Sequence, residues 1–302
     1  MNALAVRFAA FAWFVVSCVT VYAADPHVAI DSRPIDAQAI VGLDHIPTVV
    51  SDLERAQDTY RRLGFALKPG RAHANGLRNA HVKFEDGSGI ELIAPPHEAS
   101  DDLTRDYLEH LKHGEGPAYL SLHARDKAAL IAALNAAGIA FEDDDLLTLS
   151  DPRLHFLFFV RDNRSPTDRP EHFAHPNSAS AMTGVWLALD APTSAAFQRL
   201  LLALGAEHTR ASVRSPGTAR GNAVMADLFR VNNGRIVVVP KRAEANETRT
   251  IVGAEFRVRS LAESKRALRA SNLRFARAER PHAIRVAPDV THGILLEFYA
   301  ED

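Results

Sequence analysis

The fold is decided by residues 42–95, GLDHIPTVVSDLERAQDTYRRLGFALKPGRAHANGLRNAHVKFEDGSGIELIAP. Residues 43–50 are mostly branched and apolar, which predicts a buried strand. A helix is predicted next, because apolar side chains recur at helical spacing: Leu53, Ala56, Tyr60 and Leu63. Three shorter strands are predicted at residues 65–67, 81–84 and 90–94, the last two separated by the turn Asp86-Gly87. The stretch therefore predicts one unit of strand, helix and three strands.

Both ends of the predicted helix carry capping signals. Ser51 followed by Glu54 is the pattern of a capping box, in which the hydroxyl accepts an amide hydrogen bond and the carboxylate reaches back to the cap. Gly64 predicts the end of the helix, because glycine adopts the left-handed conformation of a C′ residue without strain.

The same signals recur along the chain. Helix ends are predicted at four residues that are roughly 70 positions apart, a regularity that indicates a repeated unit: Gly64, Gly138, Gly205 and Asn272. Helix starts are predicted with a similar spacing at Asp126, Thr193 and Ser260. We therefore predict an α+β fold of four βαβββ modules. A chance alignment of helix ends is the alternative interpretation.

The modules group into two pairs. Residues 161–180 are rich in Pro, Asn, Asp, Arg and His and poor in apolar side chains, which is typical of a connection between domains. We expect modules one and two within residues 42–176 and the second module pair within residues 182–302.

The composition is that of a globular protein, and the N-terminal residues have the pattern of an export signal. Hydrophobic residues make up 47% of the 302 positions, and the net charge of −2 gives no basis for binding nucleic acid. Residues 1–23 combine Arg7, an apolar run and a small-residue site before Ala24, which predicts a signal peptide followed by a leader at 24–41. We expect a periplasmic or secreted protein. The single cysteine, Cys18, follows Val15-Val16-Ser17 and resembles a lipoprotein acylation site, so a membrane-anchored lipoprotein is the alternative.

Four residues of the opening unit are candidates for chemistry. His45 and Glu91 lie on its first and last strands, and both residue types bind divalent metals. The alternative roles are a hydrogen-bonded histidine and a buried acid paired with an arginine. His73 and Asn79 lie in a glycine-bearing loop, where they either bind a ligand's oxygens or serve the turn.

Several short motifs carry a resemblance to a known family. They are Asp44-His45, the loop at residues 70–79, Glu91-Leu92 and His175-Pro176-Asn177. In this arrangement the chain resembles the vicinal oxygen chelate superfamily, and within it the glyoxalase-like domain family. The resemblance implies two half-open barrels of mixed sheet, with a divalent ion such as Zn, Ni, Mn or Fe held in a cup by the first and fourth strands of the modules.

The resemblance also implies roles for individual residues. His45 and Glu91 would be metal ligands, and Glu91 would also be catalytic. Substrate binding is assigned to four residues: His73, Asn79, Tyr119 and His175. The other modules have Tyr119, Trp186 and Gly253 where module one has His45, so further ligands are left open among Tyr119, His123, His155 and His175. Glu297, on the last strand of module four, is expected to be mainly structural.

Two functions fit these residues, and an exported scaffold of degenerate modules without a small-molecule site is a third, weaker interpretation. The first is a metal-dependent lyase, isomerase or dioxygenase that acts on a small oxygenated substrate, and it requires His45 and Glu91 to lie within about 4 Å of each other. The second is a metal-free binding protein of the bleomycin-resistance type, with Tyr119, Trp186 and residues 156–159 as apolar walls. A small molecule is the expected partner in both, and a homodimer is left open.

Overall fold

The computed structural model describes residues 39–143, 147–161, 163–214, 223–243 and 249–301. The predicted signal peptide, Cys18 and all but the last three residues of the leader lie outside these ranges. Within them, no helix combines the length and the apolar character needed to span a membrane.

The first half of the chain contains modules one and two and two additional helices. Its strands are β1 (Ile40–Leu43), β2 (His45–Val49), β3 (Lys68–Pro69), β4 (Arg78–Lys83), β5 (Gly89–Ala94), β6 (Gly116–Pro117), β7 (Leu120–Ala124), β8 (Phe141–Asp143), β9 (Leu147–Leu149) and β10 (Leu157–Val160). Its helices are α1 (Leu53–Arg62), α2 (Asp102–Lys112), α3 (Lys127–Ala136) and the short α4 (Pro170–Phe173), with a 3-10 turn at Pro152–Leu154.

The second half contains modules three and four, and most of its strands are longer than those of the first half. Its strands are β11 (Ala179–Leu189), β12 (Glu207–Arg214), β13 (Ala223–Val231), β14 (Gly234–Pro240), β15 (Ile251–Val258), β16 (Ala276–Arg277), β17 (Ala283–Val286) and β18 (Leu295–Tyr299). Its helices are α5 (Ala191–Ala203) and α6 (Leu261–Ala270), with 3-10 turns at Lys241–Ala243 and Pro288–Val290.

Four successive segments therefore share the order strand, helix and three strands, which confirms the predicted α+β class. The second half forms one eight-stranded sheet in the order β12-β13-β14-β11-β15-β18-β17-β16. In the first half the same order is divided between a five-stranded sheet, β3-β4-β5-β2-β6, and a three-stranded sheet, β1-β7-β10, with β8 and β9 as a separate pair. Parallel and antiparallel pairs are mixed, since β2 runs parallel to β5 and antiparallel to β6. The internal sequence repeat itself stays a prediction.

The helix ends agree with the sequence better than the helix starts. Each predicted C′ residue has a positive φ: 85° at Gly64, 60° at Gly138, 91° at Gly205 and 54° at Asn272. The capping box at Ser51 is wrong, because Asp52 is the N-cap of α1 and accepts from the Arg55 amide. The amide and hydroxyl of Ser51 instead donate to Glu115, which no local pattern could indicate. Helix α5 likewise starts before Thr193, with Asp190 as its cap.

Alternation along the strands separates a core face from a second face. Ile46 on β2 and Ile90 and Leu92 on β5 are buried in the main core, which also contains residues of the second half such as Val185 and Phe256. His45 and Glu91 are one residue out of phase with them and therefore lie on the opposite face. The parallel register places Glu91 beside Pro47, two residues from His45, so the two side chains share that face. One core cluster thus spans both halves, while the predicted domain boundary stays a prediction.

Candidate active site on the face of the first sheet

We call the face of β2, β4 and β5 that carries His45, His81 and Glu91 the site face. His45 Nε2 lies 3.2 Å from Glu91 Oε2. Both side chains are largely buried, with 12% of His45 and 14% of Glu91 exposed. The two residues that the sequence singled out as a metal-binding pair are therefore in direct contact, closer than the 4 Å that the enzyme hypothesis requires.

Asp44 lies behind the histidine ring. Its carboxylate is buried and hydrogen-bonds to His45 Nδ1, and its amide donates to the carbonyl of Ser121 at 3.0 Å. Burial alone would lower the pKa of His45, but the hydrogen bonds to Asp44 and Glu91 outweigh burial and raise this pKa to about 9. His45 is thus held between two carboxylates. This position strongly favours a positive charge, either on the protonated ring or on a cation bound beside it.

Glu91 is held in its ionised form by the same contacts. Burial would raise its pKa, but the hydrogen bond and charge of His45 lower the pKa to about 2. Asn79 on β4 adds a hydrogen bond from Nδ2 to Glu91 Oε1 at 2.5 Å. One carboxylate oxygen is therefore fixed by the amide while the other faces His45.

His81, also on β4, completes the cluster. Its Nε2 lies 3.9 Å from Glu91 Oε1 and 3.3 Å from Asn79 Nδ2. Burial, opposed by the charge of Glu91, lowers the pKa of His81 to about 4, so this ring is neutral at pH 7. The sequence analysis missed His81, although its alternation with Asn79 on a strand beside Glu91 was a usable signal.

Aromatic rings border the charged cluster. Phe158 on β10 meets His45 edge-on with ring centroids 5.5 Å apart, and Tyr119 meets Phe158 at 6.3 Å. Tyr107 lies 5.8 Å from Tyr119 and comes from α2, a helix that the sequence analysis did not predict. Of the predicted apolar walls of the first module pair, Tyr119 and Phe158 thus lie next to the His45–Glu91 pair, with Tyr107 as an addition. Phe156 and Phe159 instead pack in or against the main core.

Two buried polar atoms nearby have no hydrogen-bond partner among the described residues. They are Oδ1 of Asn79, in the cluster itself, and Oγ of Ser121, which lies beside Phe158 in the ladder of β7 and β10. Buried polar groups are normally hydrogen-bonded, so an unpartnered one in a cluster is a place where a ligand or water can bind. Nε2 of His73 is a third such atom, in the loop between β3 and β4.

The structure does not bring every predicted residue to the site face. His175 packs against Phe65 and Phe84 of the main core. Its Nδ1 accepts from the Ala66 amide at 3.0 Å, and its Nε2 donates to the carbonyl of Lys83 at 2.9 Å. Both nitrogens are thus taken by the backbone, which fits a structural role rather than the predicted substrate contact. His155 is exposed beside the 3-10 turn that it follows.

In the eight-stranded sheet of the second half, the buried acids are paired with arginines. Glu255 accepts hydrogen bonds from Trp186 Nε1 at 2.6 Å and from two nitrogens of Arg235 at 3.1 Å each. Glu297 accepts from Nε of Arg285 at 2.6 Å. Both acids are almost fully buried and already paired with arginine, which agrees with a structural role for Glu297.

The site face can supply two of the ligands of one divalent ion. Two ligands bound at about 2.0–2.2 Å and at right angles stand about 3 Å apart, close to the observed 3.2 Å between His45 Nε2 and Glu91 Oε2. A carboxylate on the other ring nitrogen, as Asp44 provides, is the usual support of a metal-binding histidine. In the described part of the chain, no group of three His, Cys, Asp or Glu side chains is arranged to hold a metal. The other positions of an ion would therefore be left to water or substrate.

The fold and the site face define a protein of the vicinal oxygen chelate superfamily. A family model described as a glyoxalase-like domain matches residues 43–205, more than half of the chain. The protein belongs to this glyoxalase-like domain family. No curated protein matches the chain by sequence.

Solved structures with similar folds include several dioxygenases. The 2,3-dioxygenase LapB from Pseudomonas sp. KL28 is similar with a TM-score of 0.57 and 14% identity, over 88% of this chain and 93% of that one. A homoprotocatechuate 2,3-dioxygenase variant from B. fuscum gives 0.55 and 15%, over 88% and 73%. A xylose isomerase-like TIM barrel/4-hydroxyphenylpyruvate dioxygenase fusion protein gives 0.58 and 13%, over 87% of this chain, which spans about half (49%) of that protein. At these identities the similarity shows the fold alone.

Proposed function

We propose that the protein is a metal-assisted enzyme that binds a small oxygenated molecule on the site face. The observation that carries the proposal is the contact between His45 and Glu91, with Asp44 on the far side of the imidazole ring. His45 and Glu91 would hold the divalent ion. When bound, the ion would supply Lewis acidity toward two adjacent oxygens of the substrate.

The surrounding residues have separate tasks in this proposal. Asp44 accepts from His45 Nδ1–H, which fixes the ring and leaves Nε2 facing Glu91. Asn79 holds Oε1 of Glu91, so that the ionised carboxylate is positioned to accept a proton from the substrate. His81, which is neutral at pH 7, offers a second nitrogen beside that carboxylate for relaying the proton.

The aromatic border favours a flat substrate. Rings of Tyr107, Tyr119 and Phe158 follow one another beside His45, and each contact is edge-on rather than stacked face to face. Flat molecules with two neighbouring oxygens, such as catechols and enediols, match this combination of aromatic wall and cation. The names of the similar solved structures support dioxygenase chemistry ahead of lyase or isomerase chemistry.

Metal titration tests the proposal. We expect the metal-free protein to bind one equivalent of a divalent ion by calorimetry, with Zn, Ni, Mn and Fe(II) each tried. His45→Ala should abolish this binding, and Asp44→Asn should weaken it by about 10- to 100-fold. His155→Ala is the matched control, since that histidine is exposed and outside the site. Equal binding by all of these variants would refute the assignment.

Oxygen uptake tests the reaction class. The protein loaded with Fe(II) or Mn(II) should consume oxygen in the presence of a catechol, and His45→Ala and Glu91→Gln should not. Conversion of an enediol without oxygen uptake would move the assignment to isomerase or lyase chemistry.

A metal-free binding protein is the second candidate. Tyr119 and Phe158 favour it, because they stand where the resemblance implies ligands from module two and instead pack against His45 and each other. In that case aromatic compounds would raise the melting temperature equally with and without a chelator.

Export stays part of the proposal and rests on residues 1–23. Sequencing the N-terminus of protein recovered from a periplasmic extract would test it. A mature chain that begins at Cys18 and is recovered from the membrane fraction would support the anchored alternative.

A further inference from the structure

A groove of about 440 Å³ lies between α6 and the hairpin β16–β17. Its lining includes the apolar side chains of Leu261, Phe275 and Ile284, and Ile284 is buried. The volume lies in the range of pockets that bind small molecules. The groove borders β16, the last strand of the eight-stranded sheet, and shares no residue with the site face.

The rim of this groove is positively charged. Lys265 and Arg269 lie one turn apart on α6, and Arg277 lies across the groove on β16. None of these three side chains forms an ion pair with a carboxylate that the structure describes, and the described lining contains no Asp or Glu. The Arg269 guanidinium lies 5.6 Å from the centroid of the Phe275 ring, which holds its charge above the apolar floor.

The turn at the end of the groove has an uncommon backbone conformation. His282, in the lining, has a φ of 52°, and its carbonyl accepts from the Ala300 amide at 3.1 Å. Non-glycine residues in the left-handed region are uncommon and concentrate at ligand sites. The hydrogen bond to Ala300 keeps this end of the groove in place.

We propose that the groove binds an amphiphilic monocarboxylate, a molecule of the fatty-acid type. Its carboxylate would contact the cations of the rim, because charge-assisted hydrogen bonds from arginine to carboxylate are the strong ones. Its chain would cover the floor formed by Leu261, Phe275 and Ile284. A positive rim disfavours a metal ion, and an apolar floor disfavours a highly polar anion such as a sugar phosphate.

Decanoate binding to the full chain tests this proposal. We expect saturable binding of one decanoate by calorimetry and a rise in melting temperature. The double variant Arg269→Gln/Arg277→Gln should bind decanoate at least tenfold more weakly. The matched control is Arg266→Gln/Arg274→Gln, which removes the same charge from exposed residues outside the groove. Decyl maltoside, with the same chain and a neutral head, should bind at least tenfold more weakly than decanoate.

Three outcomes would overturn the proposal. They are an absence of saturable decanoate binding, whether or not the protein binds anionic vesicles, an equal loss in the control variant, and equal binding of decyl maltoside. Circular dichroism checks that the double variant folds, and Arg277→Gln alone, at an exposed position of β16, gives an independent measurement if it does not. Decanoate binding should persist in His45→Ala, so this result is independent of the site face.

Discussion

Arg249 holds the end of α2 to the second half of the chain, and its removal should weaken both stability and the aromatic border. The side chain is 7% exposed. Its NH2 group donates to three backbone carbonyls, those of His113, Gly114 and Glu115, at 3.1, 2.7 and 2.8 Å. Its NH1 group donates to Nε2 of His110 at 2.5 Å. No carboxylate partner is described for this guanidinium, so its charge is stabilised by backbone dipoles.

The cost of Arg249→Met follows from these four hydrogen bonds. A hydrogen bond to a charged group contributes about 1.5–3 kcal/mol, but water can reach the exposed backbone at residues 113 and 114 and replace part of that energy. We therefore expect a loss of about 2–4 kcal/mol in the free energy of unfolding, measured by urea denaturation. Amide exchange should become faster in α2, which carries Tyr107, one of the rings that border the site face.

A matched variant separates this effect from the loss of a surface charge. Arg266→Met removes an exposed arginine from α6 and should change the free energy of unfolding by less than about 0.5 kcal/mol. If Arg249→Met costs less than about 1 kcal/mol, or if amide exchange in α2 does not change, the role assigned to Arg249 is wrong.

Three further predictions concern the site face and α1. Asp44→Asn should lower the pKa of His45 from about 9, as measured by NMR titration of the metal-free protein, because it removes one of the two carboxylates that oppose burial. The contribution of His45 to stability should be complete below its ordinary pKa of 6.5 and lost as the pH rises through about 9. The contribution of Glu91 should be complete above its ordinary pKa of 4.5 and lost as the pH falls through about 2. Urea denaturation at a series of pH values checks both. Gly64→Ala should cost roughly 1–3 kcal/mol in thermal unfolding, because φ is 85° and the new Cβ would lie 2.8 Å from Cβ of Asn177.

The parts of the fold set by local chemistry were predictable from sequence. The C′ residues at Gly64, Gly138, Gly205 and Asn272 follow from a conformational requirement that one residue meets alone. The contact between His45 and Glu91 followed from strand alternation and from the resemblance to the family. In each case the deciding information lay in one residue or one strand.

The parts set by distant partners were not predictable. Ser51 carries a correct capping pattern, but Glu115, 64 residues further on, takes its amide and hydroxyl, and Asp52 caps α1 instead. His175 is a residue type that binds ligands, yet both nitrogens of its ring are hydrogen-bonded to the backbone of residues 66 and 83. Such competition depends on which segments meet in space, and spacing along one sequence does not contain that information.

The core that both halves share limits how this protein can change. Helices and strands of both halves pack into a common cluster, with Tyr60, Phe197 and Phe256 among its fully buried side chains. A gene fragment encoding only one half would give a chain that exposes the apolar side chains of this core, and such a chain would be prone to aggregation and rapid degradation. Substitutions in the loops or on the solvent-facing side of either sheet can therefore accumulate independently in the two halves, but neither half can be deleted without the other.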